Sequence, residues 1–433
     1  MSLMGWESRS IDMWIGIDDT DSPQGMCTTY LGALLARRLE ESGMEIRSLR
    51  LVRLNPNIIW KTRGNAAIAI EAEGDPDSAF SIATDLIEEL ADLSCEKTNP
   101  GLVVCGEIRP PAAFAEEAIT GFCTIEGAIA ACGDVGARYR LWKNGRGIIG
   151  AVAAVAAEFS DATSEYLVYR DVNLHTSTRF VDPVSLRLAE EMTYPGTWDT
   201  CDPENKTIVC VPHTPDPVLF GIRGNDPVWI SLARNLVSSE APVLEAIFET
   251  NQGTDAHLLR GSVGTLEEGR SYSVPGIVAS PPKTGIGGHV SLEITDGRDH
   301  LTCMAYEPTK GFRDSIRALS PGDQVYVCGS YKKRSLNLEK ILVLSAPPCR
   351  VAGAPLCESC GKKMTSAGKD KGYKCRVCGA RSRDSCISYQ ERTIHRGWYE
   401  VPPSARRHLA RPLCRGEPVI PGFPEDYSRE DYI

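Results

Sequence analysis

Asp18, Asp19 and Asp21 put three carboxylates within four positions, at the end of the apolar run Trp14-Ile15-Gly16-Ile17. A short apolar run of this kind reads as a buried strand. Acids gathered at one strand end repel each other unless a cation sits among them. A hard divalent ion such as Mg²⁺ is the usual answer, and it usually brings phosphates with it. Gly25-Met26-Cys27-Thr28-Thr29 follows, ahead of an amphipathic segment whose helix is expected to start near Thr28. A helix N-terminus is itself an anion site. Metal on one side and helix dipole on the other make a seat for a triphosphate. An acidic turn followed by a threonine N-cap would use the same residues with no chemistry at all.

Other stretches carry weaker signals. Lys61-Thr62-Arg63-Gly64-Asn65 sets two cations beside a glycine just ahead of a strand-like run. It suits either a triphosphate or RNA phosphate, or a plain polar loop. The run Lys143-Asn144-Gly145-Arg146-Gly147-Ile148-Ile149-Gly150 is glycine-rich and leads into small apolar residues. Its backbone N–H groups are candidate phosphate donors at Asn144, Gly145, Arg146, Gly147 and Gly150. It lacks the Gly-Lys-Ser/Thr ending of a Walker A loop and the glycine spacing of a dinucleotide fingerprint. The polar cluster from Thr250 to His257 directly follows a strand-like segment, where function tends to collect.

The most specific motif is Cys357-x-x-Cys360 and, after fourteen residues, Cys375-x-x-Cys378, each pair followed by a glycine. Two knuckles delivering four thiolates to one tetrahedral ion is the zinc-ribbon pattern, and four thiolates close the shell, so the zinc is structural.

These groups need elements to position them. Leu31, Leu34, Leu35 and Leu39 share one helical face that ends at Ser42-Gly43. Strands are expected over 46–54, 66–70, 102–108, 166–169, 218–224 and 243–248, and helices over 78–93, 183–192 and 226–239. Residues 193–207 read as loop. From 271 to 346 five short alternating strands appear, with a helical piece between the third and fourth, which is the OB-fold order. The expected fold is multidomain α+β: an N-terminal α/β kinase-like domain over 11–158, a ferredoxin-like domain over 159–265, an OB-fold barrel over 270–347, and a zinc ribbon with a basic C-terminal region over 350–433.

At 433 residues the chain is long enough for several domains, and no run of about 18 apolar residues marks a membrane span. Met1-Ser2-Leu3 looks like a vector-derived leader. Sixteen cysteines without a secretory signal point to a reducing, cytoplasmic setting. The net charge of −10 is unevenly spread: residues 350–415 hold 15 Lys and Arg against 5 Asp and Glu. Those cations, interleaved with Trp398, Tyr399 and His408, favour an RNA or DNA partner.

Taken in order, Ile-Asp-Asp-Thr-Asp-Ser at 17–22, Asn-Gly-Arg-Gly-Ile-Ile-Gly at 144–150, the barrel and the zinc ribbon resemble the archaeal tRNA(Ile) 2-agmatinylcytidine synthetases, the TiaS family. The resemblance implies a ligase that uses ATP to phosphorylate the 2-oxo group of the wobble cytidine of an isoleucine tRNA. Agmatine then replaces that oxygen, with release of AMP and phosphate. For such a reaction Asp18, Asp19 and Asp21 would hold Mg²⁺ and Lys61 and Arg63 would stabilise the transferred phosphoryl charge, and the resemblance implies Thr28 as a phosphate-accepting residue. Phe220, Gly221, Arg223 and Asp255 are candidates for agmatine contact, and no residue is assigned as the base. A non-enzymatic OB-fold and zinc-ribbon nucleic-acid-binding protein is the alternative. A haloacid-dehalogenase-type phosphotransferase with Asp19 or Asp21 as nucleophile ranks last, because the rest of that signature is not evident.

Overall fold

The computed structural model describes residues 11–174, 177–390 and 392–418; the leader read at Met1, Ser2 and Leu3 lies outside them. The first strand, β1 (Ile11–Asp18), has its middle residues Met13 to Ile17 buried on both faces. It therefore lies inside a sheet, between β3 (Ala66–Gly74) and β4 (Gly101–Cys105), antiparallel to both. β2 (Glu45–Arg53) flanks β3, and β5 (Arg138–Leu141) flanks β4. The expected strand over 102–108 stops at Cys105, and Gly106, Pro110 and Pro111 turn the chain away.

The helix α1 (Thr28–Glu41) buries Leu31, Leu34, Leu35 and Leu39 and ends at Gly43, whose φ of 92° suits the left-handed stop. α2 (Pro76–Leu90) starts with the Asp75 carboxylate accepting from the Ser78 amide at 2.9 Å. α3 (Ala112–Thr120) and α4 (Ile125–Asp134) fill a stretch to which the periodicity assigned nothing. α5 (Gly147–Ala156) is apolar all round and buried throughout except at Ile149. It lies so close to the sheet that a Cβ on Gly16 would fall 2.2 Å from the Ala151 carbonyl oxygen.

The second α/β unit contributes β6 (Thr163–Tyr169), β7 (Thr197–Trp198), β10 (Val218–Gly224) and β11 (Leu244–Thr250), under α6 (Pro183–Thr193) and α7 (Pro227–Leu236). β8 (Cys201–Asp202) and β9 (Thr207–Ile208) form a separate ribbon inside the expected loop. The two units are not separate layers. β11 pairs in parallel with β2, giving one nine-stranded sheet in the order β5-β4-β1-β3-β2-β11-β6-β10-β7.

β12 (Leu258–Arg260) leads into a barrel of β13 (Ser271–Thr284), β14 (Val290–Thr295), β15 (His300–Ala305), β16 (Gln324–Lys332) and β17 (Ser335–Ser345). The order β13-β14-β15-β17-β16 closes because β16 also pairs with β13, and α8 (Phe312–Arg317) sits between β15 and β16. β18 (Cys349–Gly353) pairs with β22 (Cys386–Gln390) as a neck. Beyond the neck lies a small sheet of β19 (Thr365–Ser366), β20 (Tyr373–Lys374) and β21 (Arg381–Ser382). The chain then returns as β23 (Gly397–Glu400), which adds antiparallel to β17 of the barrel. No helix among the described residues is long and apolar enough to cross a membrane.

Candidate active site

β1 delivers Asp18 opposite Gly101 of β4, and the chain then turns sharply. Asp19 has φ 56° and Met26 φ 42°, both in the left-handed region that non-glycine residues rarely occupy. Ser22 and Gly25 exchange backbone hydrogen bonds of 3.2 and 3.3 Å, closing the loop before α1. Asp18, Asp19, Asp21, Thr28, Lys61, Arg63, Arg146, Gly150, Gly221 and Arg223 all line one cavity of about 340 Å³. That volume lies in the range of small-molecule sites.

Burial raises all three aspartates, and Asp19 and Asp21 add repulsion on Asp18. Asp19 is pushed up to about 7 by burial and by Asp21, against hydrogen bonds from Asn99 and the charge of Arg146. Asp21 has a partner: Arg63 Nη2 lies 3.3 Å from its Oδ2. Among the described residues, the cysteine quartet alone brings three or more ligand atoms within 4.8 Å of one another. The aspartates face one cavity without converging that tightly.

Arg63 also donates to the carbonyls of Ser22 (3.1 Å) and Met26, so it straps the aspartate loop to the Lys61–Asn65 segment. Lys61 donates to the Pro56 carbonyl; burial and the neighbouring Arg407 and Lys332 lower it to about 8. Thr28 is buried, and its Oγ1 accepts from the Thr20 hydroxyl at 3.1 Å.

The glycine-rich run packs closely against the sheet, and several of its amides are already hydrogen-bonded within the fold. α5 begins at Gly147, and the amides of Gly147, Ile148 and Ile149 already donate to the carbonyls of Asn99, Gly145 and Arg146 at 3.0, 3.2 and 3.0 Å. Asn144 Oδ1 accepts from the Arg146 amide at 2.9 Å. Asn144, Gly145 and Gly147 do not line the cavity, whereas Arg146 and Gly150 do. The glycines serve close approach: a Cβ on Gly147 would lie 2.4 Å from the Gly101 amide nitrogen, and one on Gly150 inside the Asp18 carboxylate. Arg146 stacks its guanidinium 4.0 Å from the ring centre of Trp60, which also lines the cavity.

The second wall comes from β6, β10 and the 209–218 loop. Gly221 and Arg223 point into the cavity, but Phe220, one residue away on the strand, faces the other side and is fully buried in the apolar core. Asp255 is also elsewhere. Its carboxylate holds the buried Lys340 ammonium at 2.6 Å and accepts from the Arg411 amide at 2.8 Å. The charged wall residues that spacing did not single out are Arg53, Glu165 and Asp216, and His408, read in sequence only as part of a nucleic-acid-binding stretch, joins them. Glu165 bridges Arg53 (3.5 Å) and Arg223 (3.2 Å), and Asp216 lies 3.3 Å from Arg179. Their partners are far off in sequence, so no local pattern could reveal them.

The basic C-terminal region divides in two. Lys362, Lys363, Lys369, Lys371, Lys374, Arg376, Arg381 and Arg383 of the ribbon are exposed. The later cations turn inward: Arg406 onto Asp199 and Glu400, Arg407 onto Glu339, Arg411 and Arg415 onto Asp161. Asp161, Asp199 and Glu339 of the preceding units and Glu400 of β23 are their partners, so these cations tie the return segment to the rest of the chain. In the ribbon, Sγ of Cys357 lies 3.4 Å from that of Cys378, and Sγ of Cys360 3.5 Å from that of Cys375. Four sulfurs so grouped fit one tetrahedral zinc ion.

An acid-lined cavity between two fused α/β units, followed by a closed barrel and a zinc ribbon, defines a multidomain α+β protein with one cavity rich in charged groups. Models of the TiaS TCKD domain, the TiaS FLD domain and the TiaS C-terminal zinc ribbon domain match residues 14–74, 145–257 and 354–394. The chain is 49% identical over 404 residues to the isoleucine-tRNA 2-agmatinylcytidine synthetase TiaS of Methanocorpusculum labreanum, covering 93% of this chain and 97% of that one. It is 46% identical over 416 residues to the Methanosarcina acetivorans protein of the same name, again covering 93% and 97%. The crystal structure of apo TiaS superposes with a TM-score of 0.87 at 41% identity, covering 94% of this chain and 98% of that one. The crystal structure of TiaS in complex with its isoleucine tRNA, AMPCPP and agmatine gives 0.84 at 38% identity, covering 94% and 97%. The chain belongs to the TiaS family.

Proposed function

We propose that this chain joins agmatine to the wobble cytidine of an isoleucine tRNA in an ATP-dependent reaction, with the cavity between the two α/β units as the reaction chamber. It is a ligase forming a C–N bond, and its relatives are named for that product. The observation that carries the site assignment is the convergence of the three aspartates, Thr28, Lys61 and Arg63 on one cavity. A pyrimidine carbonyl is a poor electrophile, because oxide is a poor leaving group. Phosphorylation of the oxygen turns it into phosphate. Lys61, Arg63 and Arg146 are the cations placed to balance phosphoryl charge. Thr28 is the hydroxyl placed to accept a phosphoryl group.

The aspartates suit a divalent cation: three carboxylates face one cavity, and burial, with repulsion among them, raises Asp18 and Asp19 above their usual range. Asp18, Asp19 and Asp21 would hold Mg²⁺, which would neutralise the triphosphate. The acids that line the cavity apart from these are Glu165 and Asp216. Glu165 pairs with two arginines and Asp216 with one, Arg179, so Asp216 keeps the less compensated charge for agmatine's guanidinium. Gly221 and Arg223 remain in this wall, and Phe220 and Asp255 act only as support.

We read the closed barrel as an OB-fold and the 11–158 and 159–265 units as the kinase-like and ferredoxin-like domains. Thiols kept free and zinc-bound suit the cytoplasm. A purely nucleic-acid-binding protein would give the aspartates no task. The test is incubation with ATP, agmatine and a transcript of the isoleucine tRNA, followed by mass spectrometry of the nucleoside. Asp19→Ala is expected to abolish incorporation with tRNA binding retained, and full turnover of that variant would refute the site.

A further inference from the structure

After the zinc ribbon the chain returns to the catalytic units and lays one side chain, His408, into the cavity wall. The segment that carries it is held on every side. Arg406 pairs with Asp199 on one flank, and Leu409 is buried in the core under α5 on the other. The His408 carbonyl accepts from the Gly253 amide at 2.7 Å, and the Leu409 carbonyl from the Asp255 amide at 2.8 Å. An imidazole fixed this firmly has a defined orientation.

Its Nδ1 lies 2.8 Å from Arg223 Nη2 and 3.0 Å from Gln252 Oε1. The two contacts ask for opposite tautomers. A guanidinium only donates and does not lose its proton. A hydrogen on Nδ1 would therefore confront the N–H of a cation at the shorter of the two distances. The Gln252 amide cannot turn to help, because its Nε2 donates to Glu165. The lone pair belongs on Nδ1, facing Arg223, and the hydrogen on Nε2. The opposite edge of the ring, with Nε2 and Cδ2, faces Gly64 of the Lys61–Asn65 segment, where an added Cβ would lie 3.4 Å from Nε2. Burial and the charges of Arg53, Arg223 and Lys61 hold the ring well below its usual range, so it stays neutral.

We propose that His408 is a substrate-contacting residue of this active site, whose Nε2–H donates a hydrogen bond to an oxygen acceptor in the cavity. That acceptor is either a phosphoryl oxygen of ATP or the 2-oxo group of the extruded cytidine. A neutral donor here adds direction beside Lys61 and Arg63, which supply charge. The inference rests on the cavity being the reaction chamber.

The test compares His408→Gln, which keeps a donor near the Nε2 position, with His408→Phe, which keeps the ring without one. Both are first checked for full zinc content and unchanged Tm. His408→Phe is expected to lose about a hundredfold in kcat/KM, and His408→Gln less than tenfold. ATP affinity measured without tRNA separates the two acceptors: a loss in His408→Phe assigns the phosphoryl oxygen, and retention assigns the cytidine. ¹⁵N NMR of the free enzyme is expected to show a protonated Nε2 and a bare Nδ1 at neutral pH. The inference is overturned if folded His408→Phe keeps a third or more of kcat/KM, if His408→Gln falls as far as His408→Phe, or if Nδ1 carries the hydrogen. If Asp19→Ala also keeps turnover, the reaction chamber itself has been misplaced.

Discussion

Gly150 makes the room that the Asp18 carboxylate occupies: a Cβ at Gly150 would lie 1.9 Å from Asp18 Oδ2 and 2.5 Å from its Cγ. Asp18 is a short side chain at the end of a central strand and cannot swing far without leaving the cavity. Gly150→Ala is therefore expected to keep the fold, because alanine is the better helix former at this position in α5. It is expected to cost a hundredfold or more in agmatine incorporation by displacing Asp18. Circular dichroism and turnover measured on the same preparation check both halves. Wild-type turnover would show that Asp18 does not need its observed place.

Asp19 ties stability to pH. Its folded-state value lies at about 7, against 3.8 for the ordinary side chain. Between those values the folded state binds more proton than the unfolded one, so stability falls as pH rises through that window. Above pH 7 the full penalty is present. In metal-free protein Tm is expected to decline from pH 5 to 7.5. Asp19→Asn is expected to flatten the decline and raise Tm at pH 7.5. Adding Mg²⁺ alone is expected to restore wild-type Tm at pH 7.5 and to leave Asp19→Asn little changed. A parallel pH profile in the two proteins would remove Asp19 as the source.

The zinc ribbon and the return strand are separable. Gly353 stands opposite Cys386 in the neck ladder, so a two-residue Asn-Gly turn can replace residues 354–385. This excision removes the exposed ribbon cations and the zinc site but leaves β23, Arg406 and His408. It is expected to bind one zinc ion fewer and to keep ATP affinity. Its tRNA affinity is expected to fall at least tenfold, with a shallower salt dependence. Truncation from Ala354 onward deletes His408 as well and is expected to lose catalysis beyond the loss in tRNA affinity. Equal behaviour of the two deletions at saturating tRNA would deny the return segment a catalytic part.

What the sequence made legible was local. The buried run before Asp18, the leucine face of α1, the barrel strands and the cysteine spacing each follow from periodicity or ligand spacing within a few residues. Glu165, Asp216 and His408 answer to partners far away in the chain, and the charge of Arg406 or Arg411 says nothing of Asp199 or Asp161. The same holds for the nine-stranded sheet. Its seam is the parallel pairing of Arg50 and Leu51 with Glu249 and Thr250, and no local pattern marks it. The glycine-rich run is ambiguous in sequence because glycine serves close packing and phosphate approach equally well. Only the donors already committed at Gly147, Ile148 and Ile149 tell the two uses apart.

Lys61 sets the alkaline limit of the reaction if its charge is needed. Burial and the nearby cations lower it to about 8, so the ammonium is lost as pH rises through that value. kcat/KM reports ionisations of the free enzyme, and its profile is expected to fall above pH 8. The limb in kcat should lie higher, since bound phosphates favour the ammonium. Lys61→Arg keeps its charge throughout the range. It is expected to abolish the alkaline fall, at the cost of about tenfold or more in absolute rate, because a planar fork replaces a point charge. Lys61→Met is expected to be slow at every pH. An alkaline limb that persists unchanged in Lys61→Arg would assign it to another group.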